Sequence, residues 1–315
     1  MTDITPNVHW LIVESHSEGQ RIDNFLFSRL KGVPKSRIYR ALRNGEFRAN
    51  KKRITADYRL HAGDSIRIPP LRVATRETPA KPAANLIKLL AEAVIYEDKD
   101  IIIVNKPSGI AAHGGSGIHF GVIELLRHLH PKLKFLELVH RLDRDTTGCL
   151  MLAKKPSILK ELHQLLAHGQ VEKTYLALVA HPFNGKERRI KAALQKNLLR
   201  SGERVVTVNA EGKPAETIIT PLEVFTHTSL IAAKPLTGRT HQIRVHAAHI
   251  GHSILGDEKY GDRKMDKALG VKHLLLHAAA LKFVMPTSGK AIAVCACLDQ
   301  HFQEVLKKMR GFLQP

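Results

Sequence analysis

Cysteine is nearly absent. Three occur in 315 residues, an odd number, which argues against the paired disulfide framework of a small secreted domain. No apolar run is long enough to span a bilayer: the longest, Leu274–Met285, is short and is interrupted by His277 and Lys282. The start, Met1-Thr2-Asp3, has neither the basic residues nor the apolar stretch of a secretory signal. The expectation is a cytoplasmic globular protein with no membrane association. Repeats and heptads are missing too, so a monomer without an obligate protein partner is expected. Acidic residues are also short, 29 against 49 Lys and Arg, for a formal charge of +20. A hydrophobic content of 43% excludes a disordered basic tail, so this charge sits on a folded body and points to a polyanionic partner. The charge is concentrated. Residues 21–59 carry 12 basic and 3 acidic side chains, a density suited to neutralising several phosphates.

What is present divides the chain. From Gly19 to about Pro70, Ile22, Phe25, Leu26 and Leu30 recur at helical spacing, and Pro34-Lys35-Ser36 opens a second helix with Ser36 as its expected cap. Gly45 closes that helix. Phe47–Asn50 and Ser65–Ile68 read as strands, with a basic turn at Asn50–Arg53 and another turn at His61–Asp64. Residues 1–70 are therefore expected to form a small basic domain of two helices on a sheet. Prolines and alanines mark 71–90 as a linker. Residues 91–315 alternate strand-length apolar runs with helices, including strands at Ile101–Val104, Lys173–Val179, Thr217–Thr220, Ser229–Ala233 and Ala291–Cys297. A helix is expected at Ser157–Leu166 with Ser157 as cap. The fold class is α+β, the second domain a larger mixed-sheet body.

Two segments gather polar chemistry at strand ends, where catalytic groups tend to lie. One is Val139-His140-Arg141-Leu142-Asp143-Arg144-Asp145-Thr146-Thr147-Gly148, which runs into an apolar strand. The other is Thr237-Gly238-Arg239-Thr240-His241-Gln242-Ile243-Arg244-Val245-His246. An Arg244–Asp143 pair would keep the carboxylate ionised and leave an anionic nucleophile. The residues alone also admit a polar turn, a non-catalytic RNA-binding protein or a metal-dependent nuclease. Against the last, His241 and His246 have neither zincin nor zinc-finger spacing. Cys295 and Cys297 share a strand face and are expected to be small buried hydrophobes. No P-loop follows the glycines of His113–Gly117, and no Gly-x-Ser-x-Gly elbow occurs.

His140-Arg141-Leu142-Asp143 with Thr146-Thr147-Gly148 resembles the signature of the RNA pseudouridine synthases that act on the large ribosomal subunit. Asn105-Lys106-Pro107-Ser108-Gly109, Lys173-Thr174-Tyr175-Leu176-Ala177, Thr237–His246 and Leu275-Leu276-His277-Ala278 resemble further motifs of that family, and residues 1–70 resemble its S-four-like RNA-binding domain. The resemblance implies uridine isomerisation in 23S-type ribosomal RNA or its assembly precursors, with no cofactor and no metal. Asp143 then matches the catalytic aspartate, for which attack on C1′, attack on C6 and proton abstraction from C2′ have each been proposed. Tyr175 matches the tyrosine that stacks on the base and assists removal of the C5 proton, and Arg244 the arginine paired with the aspartate. Arg141 resembles the residue that enters the space left by a flipped base, and Leu276 one that packs on the base's other face. Arg21, Lys35, Arg37, Lys51, Lys52 and Arg53 are expected to hold RNA. The family usually has Ser where this chain has Thr147. The hydroxyl is retained, so little effect on activity is expected.

Overall fold

In the computed structural model the chain separates into two units, Met1–Ala80 and Lys81–Pro315. The structure describes residues 8–30, 32–71, 82–115, 120–198 and 204–311. Each unit has its own apolar core.

The first unit contains β1 (His9–Ile12), α1 (Ile22–Arg29), α2 (Lys35–Arg43), β2 (Arg48–Ala49), β3 (Lys52–Arg53) and β4 (Ser65–Ile68). Its sheet order is β1-β4-β2-β3, antiparallel throughout. The apolar stripes expected from spacing are the buried ones: Ile22, Phe25 and Leu26 from α1, and Ile38, Ala41 and Leu42 from α2, pack with Phe47, Ile66 and Ile68. Pro34, not Ser36, occupies the N-cap of α2, and no side chain caps it. Proline lacks the N–H that would otherwise go unpaired at a helix start, so the helix begins two residues earlier than the serine suggests. Gly45 has φ +70 and ends α2 as expected. Beyond β2, Asn50 and Lys51 take left-handed φ values of 49 and 67, which cuts the expected strand to two residues and turns Lys51 and Lys52 outward. That turn is pinned by Asp64, which accepts from Asn50 Nδ2 at 2.7 Å, Tyr58 Oη at 2.9 Å and the His61 amide at 3.0 Å.

The expected linker needs correction. Residues 72–81 lie outside the described residues, but Ala84–Glu92 is a helix, α3, and its Leu90 is fully buried in the core of the second unit. Prolines and alanines mask the apolar stripe of Leu86, Ile87 and Leu90 that drives this helix onto the core.

The second unit continues with β5 (Val94–Glu97), β6 (Ile101–Lys106), α4 (Val122–Leu129), β7 (Glu137–Leu138), β8 (Thr147–Ala153), α5 (Pro156–Ala167), β9 (Glu172–Ala180) and β10 (Arg188–Lys191). Then follow β11 (Leu194–Leu198), β12 (Arg204–Val208), β13 (Glu216–Val224), β14 (Thr228–Pro235), α6 (Gln242–His249), α7 (Arg263–Leu269), β15 (Leu276–Val284), β16 (Ala291–Cys295) and α8 (Gln300–Gly311). Its main sheet runs β10-β13-β14-β9-β15-β8-β6-β5, with β16 beside β15 and β7 beside β8, while β11 and β12 form a separate hairpin. Strand β8 is buried along its whole length, as its unbroken Cys149–Ala153 apolar run requires of a central strand. Helix α5 starts with Pro156 at its first position and Lys155 as N-cap, so Ser157 is not the cap. Strand β16 ends at Cys295. Both Cys295 and Cys297 are exposed rather than buried, because they fall on the outward face of an edge strand and just past its end.

Among the described residues the main sheet has one parallel contact, at the entry to β8. Strands β8 and β15 meet only through His277 opposite Thr147 and Ala278 opposite Gly148, after which β15 turns to pair with β16. Gly148 has φ +100, and a Cβ there would collide with the Ala278 carbonyl. Only glycine lets the polar 139–147 segment enter β8 at this spot.

Candidate active site

Asp143 lies on the loop between β7 and β8. Arg244 lies on α6, a helix buried almost all round and entered through His241 in a left-handed conformation (φ 52). Such a helix needs every polar side chain satisfied. Gln242 donates to the Glu216 carbonyl and Thr217 Oγ1 and accepts from Thr237 Oγ1 and the Arg239 amide, and His246 is held between Thr217 Oγ1 and the Ala192 carbonyl, each at 2.9 Å. This leaves Arg244, 7% exposed, at a fixed place on the buried helix.

The expected Arg244–Asp143 pair is present. Arg244 Nη1 donates to Asp143 Oδ2 at 2.9 Å. Its other edge is taken by a second carboxylate not foreseen from sequence: Asp257, 1% exposed, receives Nε at 2.8 Å and Nη2 at 2.7 Å. Asp257 Oδ1 also accepts from the amides of Lys259 and Tyr260, so it cannot turn away. Burial disfavours the Arg244 charge, but its two carboxylates outweigh burial and raise its pKa further above the ordinary arginine value. His241 Nε2 stands 3.7 Å from the same Asp143 Oδ2, and its Nδ1 is 2.8 Å from Tyr260 Oη. Both contacts converge on Oδ2, and the Asp143 side chain is 32% exposed.

Tyr175 sits mid-strand in β9, opposite Ala278 of β15 and Ala233 of β14. Burial, and after it the nearby Asp143 charge, push its phenol well above the usual range, so it stays protonated. Leu276, 4% exposed, belongs to the apolar cluster that Tyr175 flanks. Lys173 shares Tyr175's face of β9, half-buried and without a hydrogen bond or ion pair among the described residues, and burial lowers its pKa. Arg141 is exposed at the mouth of the loop, also without an ion pair among the described residues.

The loop carrying Asp143 is held from beneath. Lys106 is fully buried, and its Nζ donates to the carbonyls of Pro107, Ile110 and Arg144 at 2.8, 2.8 and 2.7 Å. Burial pulls its pKa down to about 7, and the three carbonyls form an acceptor set that only an ammonium, with three N–H donors, can fill. On the other side Thr147 Oγ1 is 2.8 Å from His277 Nδ1, whose Nε2 is 3.1 Å from the Ala296 carbonyl. The hydroxyl kept by Thr147 thus anchors the end of the loop to β15. No group of three or more metal-ligating side chains occurs among the described residues.

The expected RNA-binding residues of the first unit are all near its surface but differ in what they have free. Arg21 is committed to Asp23, Nη2 to Oδ2 at 2.8 Å, and Arg37 to Glu46 at 2.6 Å. Lys35 lies over the Phe27 ring at 4.9 Å, and Arg53 donates to the Arg43 carbonyl. Lys51 and Lys52, on the left-handed turn, are exposed and make no ion pair among the described residues.

Comparison with known proteins follows the same division. The family described as RNA pseudouridylate synthase matches residues 100–249, and the S4 domain matches residues 20–66. The chain is 51% identical over 313 residues, 98% of each chain, to ribosomal large subunit pseudouridine synthase C of Escherichia coli (strain K12). It is 49% identical over 311 residues, 98% of this chain and 97% of the other, to the protein of that name from Haemophilus influenzae. Among solved structures, human RNA pseudouridylate synthase domain containing 4 is similar at a TM-score of 0.59 and 26% identity, covering 72% of this chain and 96% of that one.

Proposed function

The chain belongs to the RNA pseudouridine synthases, isomerases that make pseudouridine in RNA, and from that premise we propose that Asp143 is the nucleophile on a uridine of large-subunit ribosomal RNA turned out of its helix into the cleft. The observation that carries this reading is the placement of Asp143 Oδ2 against Arg244 with Oδ1 left for the substrate. The reaction breaks N1–C1′, turns the base and joins C5 to C1′. The C5 proton leaves to solvent, N1 gains one, and no electrons are exchanged. A held carboxylate therefore suffices, without cofactor or metal. Tyr175 offers its ring face to the base and its protonated hydroxyl to the proton traffic at C5. Extrusion is a physical requirement, since a stacked and paired uridine hides its glycosidic bond, and exposed Arg141 is read as the residue that fills the vacated space.

Incubation with ribosomal RNA tritiated at uridine C5, without added metal or nucleotide, is expected to release tritium to water in proportion to pseudouridine formed. Tight RNA binding with no release would overturn the reading in favour of a binding protein.

In the first unit the free charges of Lys51 and Lys52 are read as phosphate contacts, whereas Arg21 and Arg37 serve the domain's own fold. The double substitution Lys51→Glu and Lys52→Glu is expected to weaken RNA binding and flatten log Kd against log salt by about 1–2 units, from roughly 0.7–0.9 per lost phosphate contact. Arg37→Ala should leave that slope within about 0.5. Filter binding across a salt series reads both, and equal slopes in all three proteins would refute the assignment.

A further inference from the structure

The Asp143 carboxylate has a second neighbour whose role follows from hydrogen-bond direction. The Val206 amide, in β12, donates to Tyr260 Oη at 2.9 Å. Tyr260 Oη lies 2.8 Å from His241 Nδ1. A backbone amide is only a donor, so the phenol accepts there and has its own proton to place. The single acceptor recorded for it among the described residues is Nδ1. If Nδ1 carried a hydrogen, the half-buried Tyr260 hydroxyl would have no acceptor among the described residues. Nδ1 is therefore the acceptor, and the neutral ring carries its hydrogen on Nε2, the nitrogen 3.7 Å from Asp143 Oδ2.

We propose that His241 is a positioning residue for Asp143: Tyr260 fixes its imidazole as the Nε2–H tautomer, and this donor, beside Arg244 Nη1, holds Oδ2 so that Oδ1 meets the substrate. The inference rests on Asp143 being the reacting group. At 3.7 Å the contact is longer than a hydrogen bond, and catalytic contacts of this kind tighten when substrate closes the site. Burial lowers the His241 pKa, which favours the neutral ring that the tautomer requires. His241 holds a left-handed backbone conformation that glycine would adopt more easily. Strain of this kind persists where the side chain is needed in one place. The ring is further fixed by its edge contact with Tyr260, centroids 5.7 Å apart, and Tyr260 in turn faces the Arg244 guanidinium at 5.2 Å. The hairpin of β11 and β12 supplies the first donor of the chain, so its seating reaches Asp143 Oδ2 through two side chains.

The test is a long-range proton–nitrogen NMR spectrum of the full chain labelled in histidine imidazoles, with the His241 signals assigned by their loss in His241→Gln. Wild type is expected to show the Nε2–H pattern. Tyr260→Phe keeps both ring contacts but removes the hydroxyl, and should shift His241 toward Nδ1–H. Its single-turnover tritium release should fall about 10- to 100-fold, the cost of a slightly misplaced group, with RNA Kd within about twofold. His241→Gln, which can still present a side-chain N–H, should retain more activity than His241→Leu. An Nδ1–H wild type overturns the proposal without any variant having to fold. So does a Tyr260→Phe protein whose tautomer moves while turnover does not, or whose turnover falls while the tautomer stays. Each of these results leaves wild-type tritium release, and with it the role of Asp143, standing.

Discussion

Asp143→Asn is expected to abolish isomerisation while leaving a folded protein that binds RNA as before. Asparagine has nearly the shape of aspartate, and both contacts to the native carboxylate fall on Oδ2. The amide will turn its oxygen to Arg244 and place its NH2 where Oδ1 had been, so the position facing substrate loses its lone-pair nucleophile. Arg244 keeps a neutralising partner in Asp257, so no unpaired charge is created and stability should change by less than about 1 kcal/mol. Tritium release under single turnover should fall by roughly four orders of magnitude or more, the loss typical when the central member of a catalytic unit is removed. RNA affinity should stay within about threefold, because the phosphate contacts that dominate binding lie elsewhere. Residual activity of a tenth of wild type or more would show that another group carries the chemistry. A non-catalytic RNA-binding protein would show no difference between the two proteins in any assay.

Much of this site was legible because the motifs keep its parts in short, recognisable runs. Asp143, Tyr175 and Arg244 come from three separate segments, and the arginine and aspartate expected to meet do meet, at 2.9 Å. The residues that hold them were harder to read. Asp257 sits in Ile254-Leu255-Gly256-Asp257, which resembles any turn after an apolar stretch, and only the fold brings it to the back of Arg244. Lys106 stands in the Asn105–Gly109 run, yet nothing local indicates that its ammonium will be sealed under the Asp143 loop with three carbonyls. In the sequence His241 stands out only as a possible metal ligand, because its tautomer depends on Tyr260, nineteen positions away. In the first unit composition treats all cations alike. The structure separates Arg21 and Arg37 from Lys51 and Lys52, because carboxylates reach the first two and a left-handed turn carries the others into solvent. The helix starts at Pro34 and Lys155 were misread for a related reason: serine is a frequent cap, but a neighbouring proline already removes the amide that a cap would satisfy.

Asp257→Ala should be the most damaging change outside the reacting groups, and for two separable reasons. Arg244 is buried and shared between two carboxylates, of which Asp257 is sealed in the interior while the Asp143 side chain is 32% exposed. Removing Asp257 strips its donors, a guanidinium edge and two backbone amides, of their acceptor and leaves the buried charge dependent on Asp143 alone, a loss of about 3–5 kcal/mol for a broken buried pair. For a domain of this size that corresponds to a fall in Tm of roughly 10 °C, readable by calorimetry. The second reason concerns reactivity. With two carboxylates on one guanidinium, Asp257 cancels the positive charge and Asp143 remains a net anion, met by one guanidinium N–H rather than clamped by two. Without Asp257 the guanidinium would swing onto Asp143 and engage both oxygens, including the Oδ1 that should meet substrate. Asp257→Asn narrows this effect: it preserves shape and the Oδ1 acceptor, but its NH2 faces Arg244 Nε–H, so only part of the stability should return, and the neutralising charge does not. Its turnover should stay about 100-fold below wild type, the penalty of a reacting group held in the wrong geometry, while RNA Kd is unchanged. If Asp257→Asn restores turnover along with stability, Asp257 acts as packing alone and the charge-sharing account of Arg244 is wrong.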